Sequence, residues 1–259
     1  MINPKVLSNR VFFASDLHLG VPDTNSSRKR ELKFVEWLNN AVDEGATEIH
    51  LLGDLFDFWF EYKNAVPKGG IRLLGTIAKI TDSGIPVHYH LGNHDLWNFG
   101  YLESELGVKV HHKPVICEWD GLKCLVGHGD GLGPGDDGYK MTKKIYKNRL
   151  AQFLFGLLHP DIGIKLAGML SKNSRAAGGK SGGAFKANQE ENLYMYCVDF
   201  LKTDYSIDCF IFGHRHIPLD LELPKNSERA IPSRYINIGD WITHYSSAKL
   251  IGGKLTLSK

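Results

Sequence analysis

Five short apolar segments are each followed closely by a glycine and by aspartate, histidine or asparagine, and this repeated pattern constrains the fold most strongly. In chain order the five stretches read SDLHLG, GDLFD, GNHD, GHGD and GHRH. Glycine lets the backbone turn sharply where a strand ends, and the polar residues stop the strand itself. The pattern therefore predicts a protein in which several strand ends present polar side chains.

The first part of the chain alternates between predicted strands and predicted helices. Short apolar runs predict strands at 11–16, 47–54 and 86–93, and apolar residues at helical spacing predict helices at 28–42 and 71–82. A strand–helix–strand order builds βαβ units and a largely parallel sheet. Because ligands of such sheets gather beyond the carboxyl ends of the strands, we expect the polar stretches to meet at one site.

The second half of the chain no longer alternates regularly between predicted strands and helices. Asp120 and Gly121 predict a hairpin turn, a helical pattern covers 137–172, the glycine-rich stretch 175–184 predicts a loop, and a helix is predicted at 186–203. The segment DCFIFGHRH predicts a further strand that ends in polar residues. Four C-terminal strands are predicted at 219–223, 234–238, 247–251 and 254–258.

Composition is that of an ordinary globular protein. The sequence shows no internal repeat and no linker, which favours one domain over residues 1–259 with a helical insertion at 137–185. The net charge is only +2, so overall charge indicates no partner. The start, MINPKVLSNR, lacks the apolar segment of a signal peptide, and no apolar run is long enough to cross a bilayer. The four cysteines show no CxxC spacing and are predicted to be reduced, which favours a cytoplasmic protein.

The polar stretches supply seven side chains that are suited to metal binding. They are Asp16, His18, Asp54, Asn93, His128, His214 and His216. A turn or a helix cap explains each stretch taken alone, but five such stretches behind apolar runs favour a shared site. Carboxylate, imidazole and amide groups without a thiolate suit Mn²⁺, iron or Zn²⁺. Seven ligands exceed the needs of one ion, so we predict two ions bridged by one carboxylate, most naturally that of Asp54.

In these five stretches the chain resembles the calcineurin-like metallophosphoesterases. The resemblance spans residues 15 to 216, and it implies a four-layered α/β/β/α sandwich with a dinuclear metal centre. It implies that one ion is held by Asp16, His18, Asp54 and His216. It implies that the other ion is held by Asp54, Asn93, His128 and His214.

The same resemblance assigns roles to the two residues after Asn93. It implies that His94 donates a hydrogen bond to a phosphoryl oxygen or to the leaving group, and that Asp95 orients the His94 ring. An imidazole between a carboxylate and a phosphate is expected to stay protonated. Because two metal ions lower the pKa of a shared water, these residues imply hydrolysis of a phosphoester without a covalent enzyme intermediate.

The predicted insertion is basic and apolar at once. Residues 139–175 carry eight lysines and arginines against one acid, Asp161, and they contain LAQFLFGLL and IGIKLAGML. Apolar helices with a cationic rim suit an anionic lipid or a bilayer interface, and a helical hairpin that packs on the core with a solvated basic side fits equally well. Nucleic acid is a third interpretation, which the small number of aromatic residues placed for base stacking disfavours.

GDLFDFWFEY, GHGDGLGPGDDGYK and the later KNSR are similar to the UDP-2,3-diacylglucosamine pyrophosphohydrolases of lipid A synthesis. This resemblance implies a Mn²⁺-dependent hydrolase that cleaves the pyrophosphate of UDP-2,3-diacylglucosamine to UMP and 2,3-diacylglucosamine 1-phosphate. It also implies a helical lid that holds the acyl chains, and a peripheral location on the cytoplasmic face of the inner membrane. No nucleic-acid or protein partner is predicted.

The resemblance extends to eight substrate-binding positions. They are Asn93, His94, Asp136, Tyr139, Ser174, Arg175, Lys180 and His214. Helix capping is an alternative role for Asp136, and a polar helix end is an alternative for Ser174. The chain departs from many members of that group by having His94 in place of arginine, and its residues after Ser174 are spaced differently.

Three other functions remain open at the level of sequence. A general metallophosphoesterase would act on phosphoproteins, nucleotides or cyclic nucleotides through the same metal ligands. A nuclease would use the basic insertion to bind nucleic acid, and a non-enzymatic scaffold would normally lack some of the seven ligands. The remaining histidines, among them His50, His88, His90 and His111, are interpreted as packing or partly exposed residues without an assigned partner.

Overall fold

The computed structural model describes residues 8–178, 191–225 and 230–258, except for the side chains at 170 and 172–178. In chain order its elements are β1 (Arg10–Ala14), α1 (Thr24–Asp43), β2 (Glu48–Leu51), α2 (Ile71–Asp82), β3 (Val87–His90), α3 (Tyr101–Leu106), β4 (Lys109–His111), β5 (Val115–Trp119), β6 (Leu122–Gly127), α4 (Asp137–Tyr146), α5 (Arg149–Gly156), α6 (Pro160–Gly178), α7 (Asn192–Leu201), β7 (Cys209–Phe212), β8 (Pro218–Glu222), β9 (Arg234–Ile238), β10 (Ser247–Ile251) and β11 (Lys254–Ser258).

The strands form two sheets. The first has six strands in the order β11-β10-β1-β2-β3-β4, and the second has five in the order β5-β6-β7-β9-β8. The strands β1 to β4 run parallel, as the strand–helix alternation predicts for β1, β2 and β3, and the structure adds α3 and β4, which were not predicted. In the second sheet β6, β7 and β9 run parallel, and β5 joins β6 through the predicted hairpin at Asp120 and Gly121.

Alternation of side chains along β1 shows how the layers stack. Phe12 and Ala14 belong to the core that packs the first sheet against α1, α2 and α3. Val11 and Phe13 point the other way, into the core between the two sheets, because successive strand residues face opposite sides. A third core, which includes Cys197, packs α7 on the outer face of the second sheet. The order is α/β/β/α, and the fold prediction is confirmed.

Two element boundaries differ from the prediction for local reasons. Helix α1 begins at Thr24 and not at residue 28, because the Asp23 carboxylate accepts hydrogen bonds of 2.9 Å from the N–H groups of Asn25 and Ser26. Such an N-cap stabilises the first turn by about 1 kcal/mol. Helix α6 extends to Gly178, so residues 175–178 of the predicted loop are helical, and the rest of that loop lies outside the described residues.

The helical pattern predicted at 137–172 is divided into three helices, α4, α5 and α6. Asn148 caps the start of α5, where its side-chain oxygen accepts hydrogen bonds from the N–H groups of Leu150 and Ala151 at 2.9 and 3.2 Å. Pro160 opens α6, where its missing N–H costs nothing. None of the helices in the described residues is both long and apolar enough to cross a membrane. The insertion boundary at 185 stays a prediction, because 179–190 lie outside the described residues.

A buried arginine fixes the loop that follows β1. Arg30 of α1 is only 4% exposed. Its guanidinium donates to the backbone carbonyls of Leu17 and His18, both at 2.6 Å, and to that of Val21 at 2.5 Å. The loop that carries Asp16 and His18 is thereby held against α1.

We expect Arg30→Met to lower the free energy of unfolding by about 3 kcal/mol, since it leaves three carbonyls without their charged donor. Urea denaturation followed by circular dichroism measures the change. Lys29→Met, at the exposed neighbouring position, is the matched control and should change the free energy of unfolding little. Equal stability of the two variants would show that the Arg30 hydrogen bonds do not hold the loop.

Candidate metal centre

Five of the seven predicted ligands have a backbone conformation that residues other than glycine rarely adopt. Their φ angles are 56° at Asp16, 43° at His18, 53° at Asp54, 70° at His214 and 56° at His216. Only three other non-glycine residues in the described part of the chain have a positive φ. Each such residue costs about 1–3 kcal/mol, and conformations of this kind persist mainly at functional sites.

Two glycines of the polar stretches allow the strand ends to approach one another. A Cβ atom on Gly92 would lie 2.2 Å from Oδ1 of Asp54, and one on Gly213 would lie 2.6 Å from Oδ2 of Asp16. No side chain fits at these distances, so glycine is required at both positions. The glycines that mark the pattern in the sequence are thus needed for close packing at the site as well as for turning.

Asp16, His18 and His216 form a first triad. Oδ1 of Asp16 lies 3.3 Å from Nε2 of His216 and 3.7 Å from Nε2 of His18. Asp16 and His18 are buried, whereas His216 is 36% exposed. The three side chains present one oxygen and two nitrogens to a common point.

Asp54, His128 and His214 form a second triad beside the first. Nε2 of His128 lies 3.3 Å from Oδ2 of Asp54 and 3.3 Å from Oδ1 of Asn93. The same Oδ2 atom of Asp54 lies 3.8 Å from Nε2 of His18 in the first triad. Asp54 therefore stands between the triads, where a bridging carboxylate is expected, and the structure brings all seven predicted ligands together.

The unsatisfied polar atoms of this centre fit bound cations. Oδ1 of Asp16 and both ring nitrogens of His18 are buried and have no hydrogen-bond partner among the described residues. Leaving such a group unpaired costs about 1–3 kcal/mol, and a divalent cation would satisfy the oxygen and one nitrogen at once. The donor set of carboxylate, imidazole and amide groups supports divalent metal binding.

The carboxylates and imidazoles of the centre shift each other's pKa. Burial alone would lower the pKa of His128, but the neighbouring Asp54 raises it to about 10. Burial likewise opposes the charge on His18, yet Asp16 raises the His18 pKa to about 9. Burial and the charge of His128 lower the pKa of His214 to about 4. The carboxylate charge thus retains protons on two imidazoles, and a bound cation would displace them.

Two ligands are oriented by groups behind them. Nδ1 of His128 donates to the carbonyl of Leu52 at 2.6 Å, which directs Nε2 towards Asp54. Nδ1 of His216 lies 3.3 Å from Oδ2 of Asp240. Sequence reasoning missed Asp240, although Gly239 and Asp240 follow directly after β9 and repeat the pattern of the other strand ends.

The surroundings of His94 differ from the expectation. The Asp95 carboxylate is buried and accepts hydrogen bonds from the hydroxyl of Tyr89 and the N–H of Gly92, at 2.7 and 2.5 Å, and makes none with His94. Asp57 takes the place predicted for Asp95: its carbonyl oxygen lies 2.6 Å from Nδ1 of His94, and its carboxylate lies 3.9 Å from the same atom. The orienting role assigned to Asp95 is therefore wrong, because its side chain turns back into the loop.

The protonation expected for His94 beside a phosphate stays a prediction. Burial lowers the pKa of His94 from its ordinary value, and Asp54 opposes this shift only in part. Nδ1 faces the carbonyl of Asp57, so the neutral ring carries its proton there and a lone pair on Nε2. In the absence of a phosphate the ring is an acceptor at Nε2.

The predicted substrate-binding residues are distributed unevenly. Tyr139 of α4 lies beside the centre, with its ring 6.5 Å from that of His214, and its hydroxyl donates to the carboxylate of Asp130. Asp136 precedes α4 with a φ of 55°, is exposed, and makes no capping hydrogen bond through its side chain. Ser174 and Arg175 belong to α6, but their side chains are among those not described, and Lys180 lies outside the described residues.

Comparison with known proteins identifies relatives along nearly the whole chain, although no protein-family model matches it. A UDP-2,3-diacylglucosamine hydrolase from Porphyromonas gingivalis is 32% identical over 263 residues, which cover 97% of this chain and 97% of that protein. A protein of the same name from Vibrio cholerae is 26% identical and covers 94% of this chain and 93% of its own. One from Escherichia coli is 27% identical, with shares of 95% and 96%.

Solved structures also align with the chain. A dimetal phosphatase from Danio rerio has a TM-score of 0.48 and 13% identity, covering 97% of this chain and 95% of its own. A phosphoesterase from E. coli has a TM-score of 0.44 and 15% identity, covering 93% and 87%.

The α/β/β/α sandwich and its seven gathered metal-ligating groups define a metal-dependent phosphoesterase. The sequence identity of 32% to the Porphyromonas gingivalis protein, over nearly the full length, makes the assignment more specific. This chain belongs to the UDP-2,3-diacylglucosamine hydrolase family.

We expect Asp54→Asn to reduce the metal bound after dialysis against Mn²⁺ from two ions per chain to one or none. Asparagine tolerates the positive φ at this position and can still accept from the N–H of His94, so the change removes mainly the negative charge. Elemental analysis of the dialysed protein gives the stoichiometry. Asp43→Asn, at the exposed end of α1, is the control. Two retained ions in Asp54→Asn would exclude a bridging role for this carboxylate.

Proposed function

We propose that the protein hydrolyses the pyrophosphate bond of UDP-2,3-diacylglucosamine and releases UMP and 2,3-diacylglucosamine 1-phosphate. The observation that carries the proposal is the full-length relationship to proteins named UDP-2,3-diacylglucosamine hydrolase. The gathered set of metal-ligating side chains supports it, because this set suits hydrolysis of a phosphoester or phosphoanhydride.

The two metal ions would be held by the side chains that the structure gathers. The first ion is assigned to Asp16, His18, Asp54 and His216, and the second to Asp54, Asn93, His128 and His214. When bound, two such ions supply a water of lowered pKa and positive charge for the phosphoryl oxygens. Mn²⁺ is the proposed metal, since it accepts a mixture of carboxylate, amide and imidazole ligands.

His94 is proposed to contact the substrate phosphates. Its Nδ1 atom is anchored to Asp57, and its ring packs edge-on against His18 at 4.7 Å between centroids. An entering pyrophosphate would raise the pKa of His94 and favour a proton on Nε2, which then donates to a phosphoryl oxygen. The charge needed for this contact thus arrives with the substrate. Histidine here takes the position at which many family members have arginine.

The helices α4, α5 and α6 are proposed to form the lid over the acyl chains. They are attached to the loops beside the centre: Nε1 of Trp97 donates to the carbonyl of Tyr146 at 2.7 Å, and Phe155 packs on Phe60 at 4.8 Å between centroids. Ser171 of α6 reaches the centre itself, with its hydroxyl 3.0 Å from the Asp57 carboxylate and 3.3 Å from Nδ1 of His94.

The lid helices expose an unusual number of apolar side chains. Those at least half exposed are Met141, Ile145, Leu150, Phe153, Leu154, Leu157, Ile162 and Met169. A large exposed apolar surface is typical of a site that binds a ligand or a membrane. Together with the basic residues of the same helices, this surface suits acyl chains and an anionic bilayer. We therefore propose a cytoplasmic protein that binds peripherally to the inner face of the inner membrane.

The substrate assignment is tested by incubating the purified protein and Mn²⁺ with UDP-2,3-diacylglucosamine and measuring UMP by chromatography. We expect UMP and the acylated sugar phosphate in equal amounts. UDP-N-acetylglucosamine, which lacks the long acyl chains, should be cleaved far more slowly, because it cannot use the apolar surface of the lid. If a soluble phosphodiester is cleaved well and the acylated substrate is not, the protein is a general phosphoesterase.

Phe153→Ser should raise KM for the acylated substrate by about 10-fold, the loss expected when an aromatic side chain no longer buries apolar surface. Phe153 is 62% exposed in the free protein, so the variant should fold normally. Ile71→Ser, at a position 67% exposed on α2, is the control away from the lid. An equal rise of KM for a soluble phosphodiester would argue against acyl-chain binding by α5.

A further inference from the structure

A cluster of four imidazoles and one carboxylate lies between the two sheets, and it extends from the first residue of β2 to the last residues of β3 and β4. It consists of Glu48 and His50 on β2, His88 and His90 on β3, and His111 on β4. His50 pairs with His88, and His90 pairs with His111, in the parallel ladder. Strand register therefore places all five side chains on one face, and the catalytic centre uses none of them.

The contacts within the cluster converge on one oxygen. Oε1 of Glu48 lies 2.7 Å from Nε2 of His50 and 3.2 Å from Nε2 of His88. The other carboxylate oxygen, Oε2, accepts a hydrogen bond of 2.9 Å from Nε1 of Trp119, which fixes the direction of the group. Ligands on a tetrahedral zinc ion with bonds of about 2.0–2.1 Å stand about 3.3 Å apart. The distance from Glu48 to His88 is already near this value, whereas the shorter one to His50 is that of a hydrogen bond and would lengthen around an ion.

From these contacts we propose that Glu48, His50 and His88 bind a single Zn²⁺-type divalent ion, separate from the catalytic pair. Two imidazoles and one carboxylate, with a fourth position for water, form a ligand set that zinc accepts. Glu48 and His88 remain 19% and 13% exposed, so an ion has a path to the site. His50 is held between the rings of Phe13 and Trp119, at 5.3 and 5.2 Å between centroids, which fixes the direction of its ring.

The neighbouring imidazoles allow both ligands to offer a lone pair. Nδ1 of His50 lies 3.0 Å from Nε2 of His90, and Nδ1 of His88 lies 2.8 Å from Nε2 of His111. When zinc takes Nε2 of a ligand ring, the proton of that ring moves to Nδ1 and is donated to the partner ring. The partner carries its own proton on Nδ1 instead, so binding needs no net release of protons.

The surroundings favour neutral imidazole rings, and a nearby cavity gives a route for the exchange of these protons. Burial and the neighbouring histidines lower the pKa of His50 and of His90 well below the ordinary value. Nδ1 of His90 is buried without a hydrogen-bond partner among the described residues. His90 and His111, together with His128 of the catalytic centre, also line a cavity of about 120 Å³, large enough for water to supply or accept a proton.

The test is to strip the full-length protein with a chelator, dialyse it against Zn²⁺, and determine the zinc bound per chain by elemental analysis. We expect three equivalents in the wild type and two in His88→Phe, in which an aromatic ring keeps the stacking on His50 but offers no ligand. His112→Phe, at the exposed residue beside His111, is the matched control and should retain three. Hydrolysis measured with Mn²⁺ should be unchanged in His88→Phe, because His88 contacts Glu48, His50 and His111 and none of the seven catalytic ligands among the described residues.

Glu48→Gln provides a second variant if His88→Phe does not fold, and it should also lose one equivalent. Asp54→Asn should lose zinc from the catalytic pair but retain the equivalent held by the cluster, which separates the two sites. Two equivalents in the wild type, or no difference between His88→Phe and the wild type, would overturn the proposal and leave the cluster as a hydrogen-bonded network only.

Discussion

One carboxylate oxygen, Oδ2 of Asp54, lies between the two triads, and the arrangement of the centre depends on it. It stands 3.8 Å from Nε2 of His18 and 3.3 Å from Nε2 of His128, while Oδ1 of the same group accepts from the N–H of His94 at 2.9 Å. A single side chain thus contacts both triads and the loop that carries His94. The backbone of Asp54 has a positive φ and its carboxylate lies against Gly92, so the position of the side chain is restricted.

The sandwich supplies the rigidity that this centre needs. The first sheet delivers Asp16, Asp54 and Asn93, and the second delivers His128 and His214, so neither sheet can build the centre alone. The core between the sheets fixes their distance through close-packed side chains such as Phe13 and Ile211, both fully buried. Strained loops at the strand ends are tolerated because three apolar cores stabilise the strands that carry them.

Features that depend on residues close together in the chain could be predicted from the sequence. Strand ends marked by glycine and polar residues identified all seven gathered side chains, and short apolar runs identified β1, β2, β3, β7 and β9, whereas the short strand β4 was not predicted. The sequence could not identify Asp57 or Ser171, because their contact joins residues 114 positions apart and depends on how α6 packs. Asp95 was misassigned for the opposite reason: it is adjacent to His94 in the chain, but the tight turn directs its carboxylate to Tyr89 and Gly92.

The strands β2 and β3 carry two polar clusters of different construction. At the carboxyl ends the ligands come from loops, many at positive φ, and the groups that orient them lie on several distant segments. Within the strands Glu48, His50 and His88 project from the ladder itself, and hydrogen-bonded register sets which of them are neighbours. The first construction gathers ligands from both sheets at one point, where neither sheet alone supplies them. The second would hold an ion between two neighbouring strands of one sheet and tie them together.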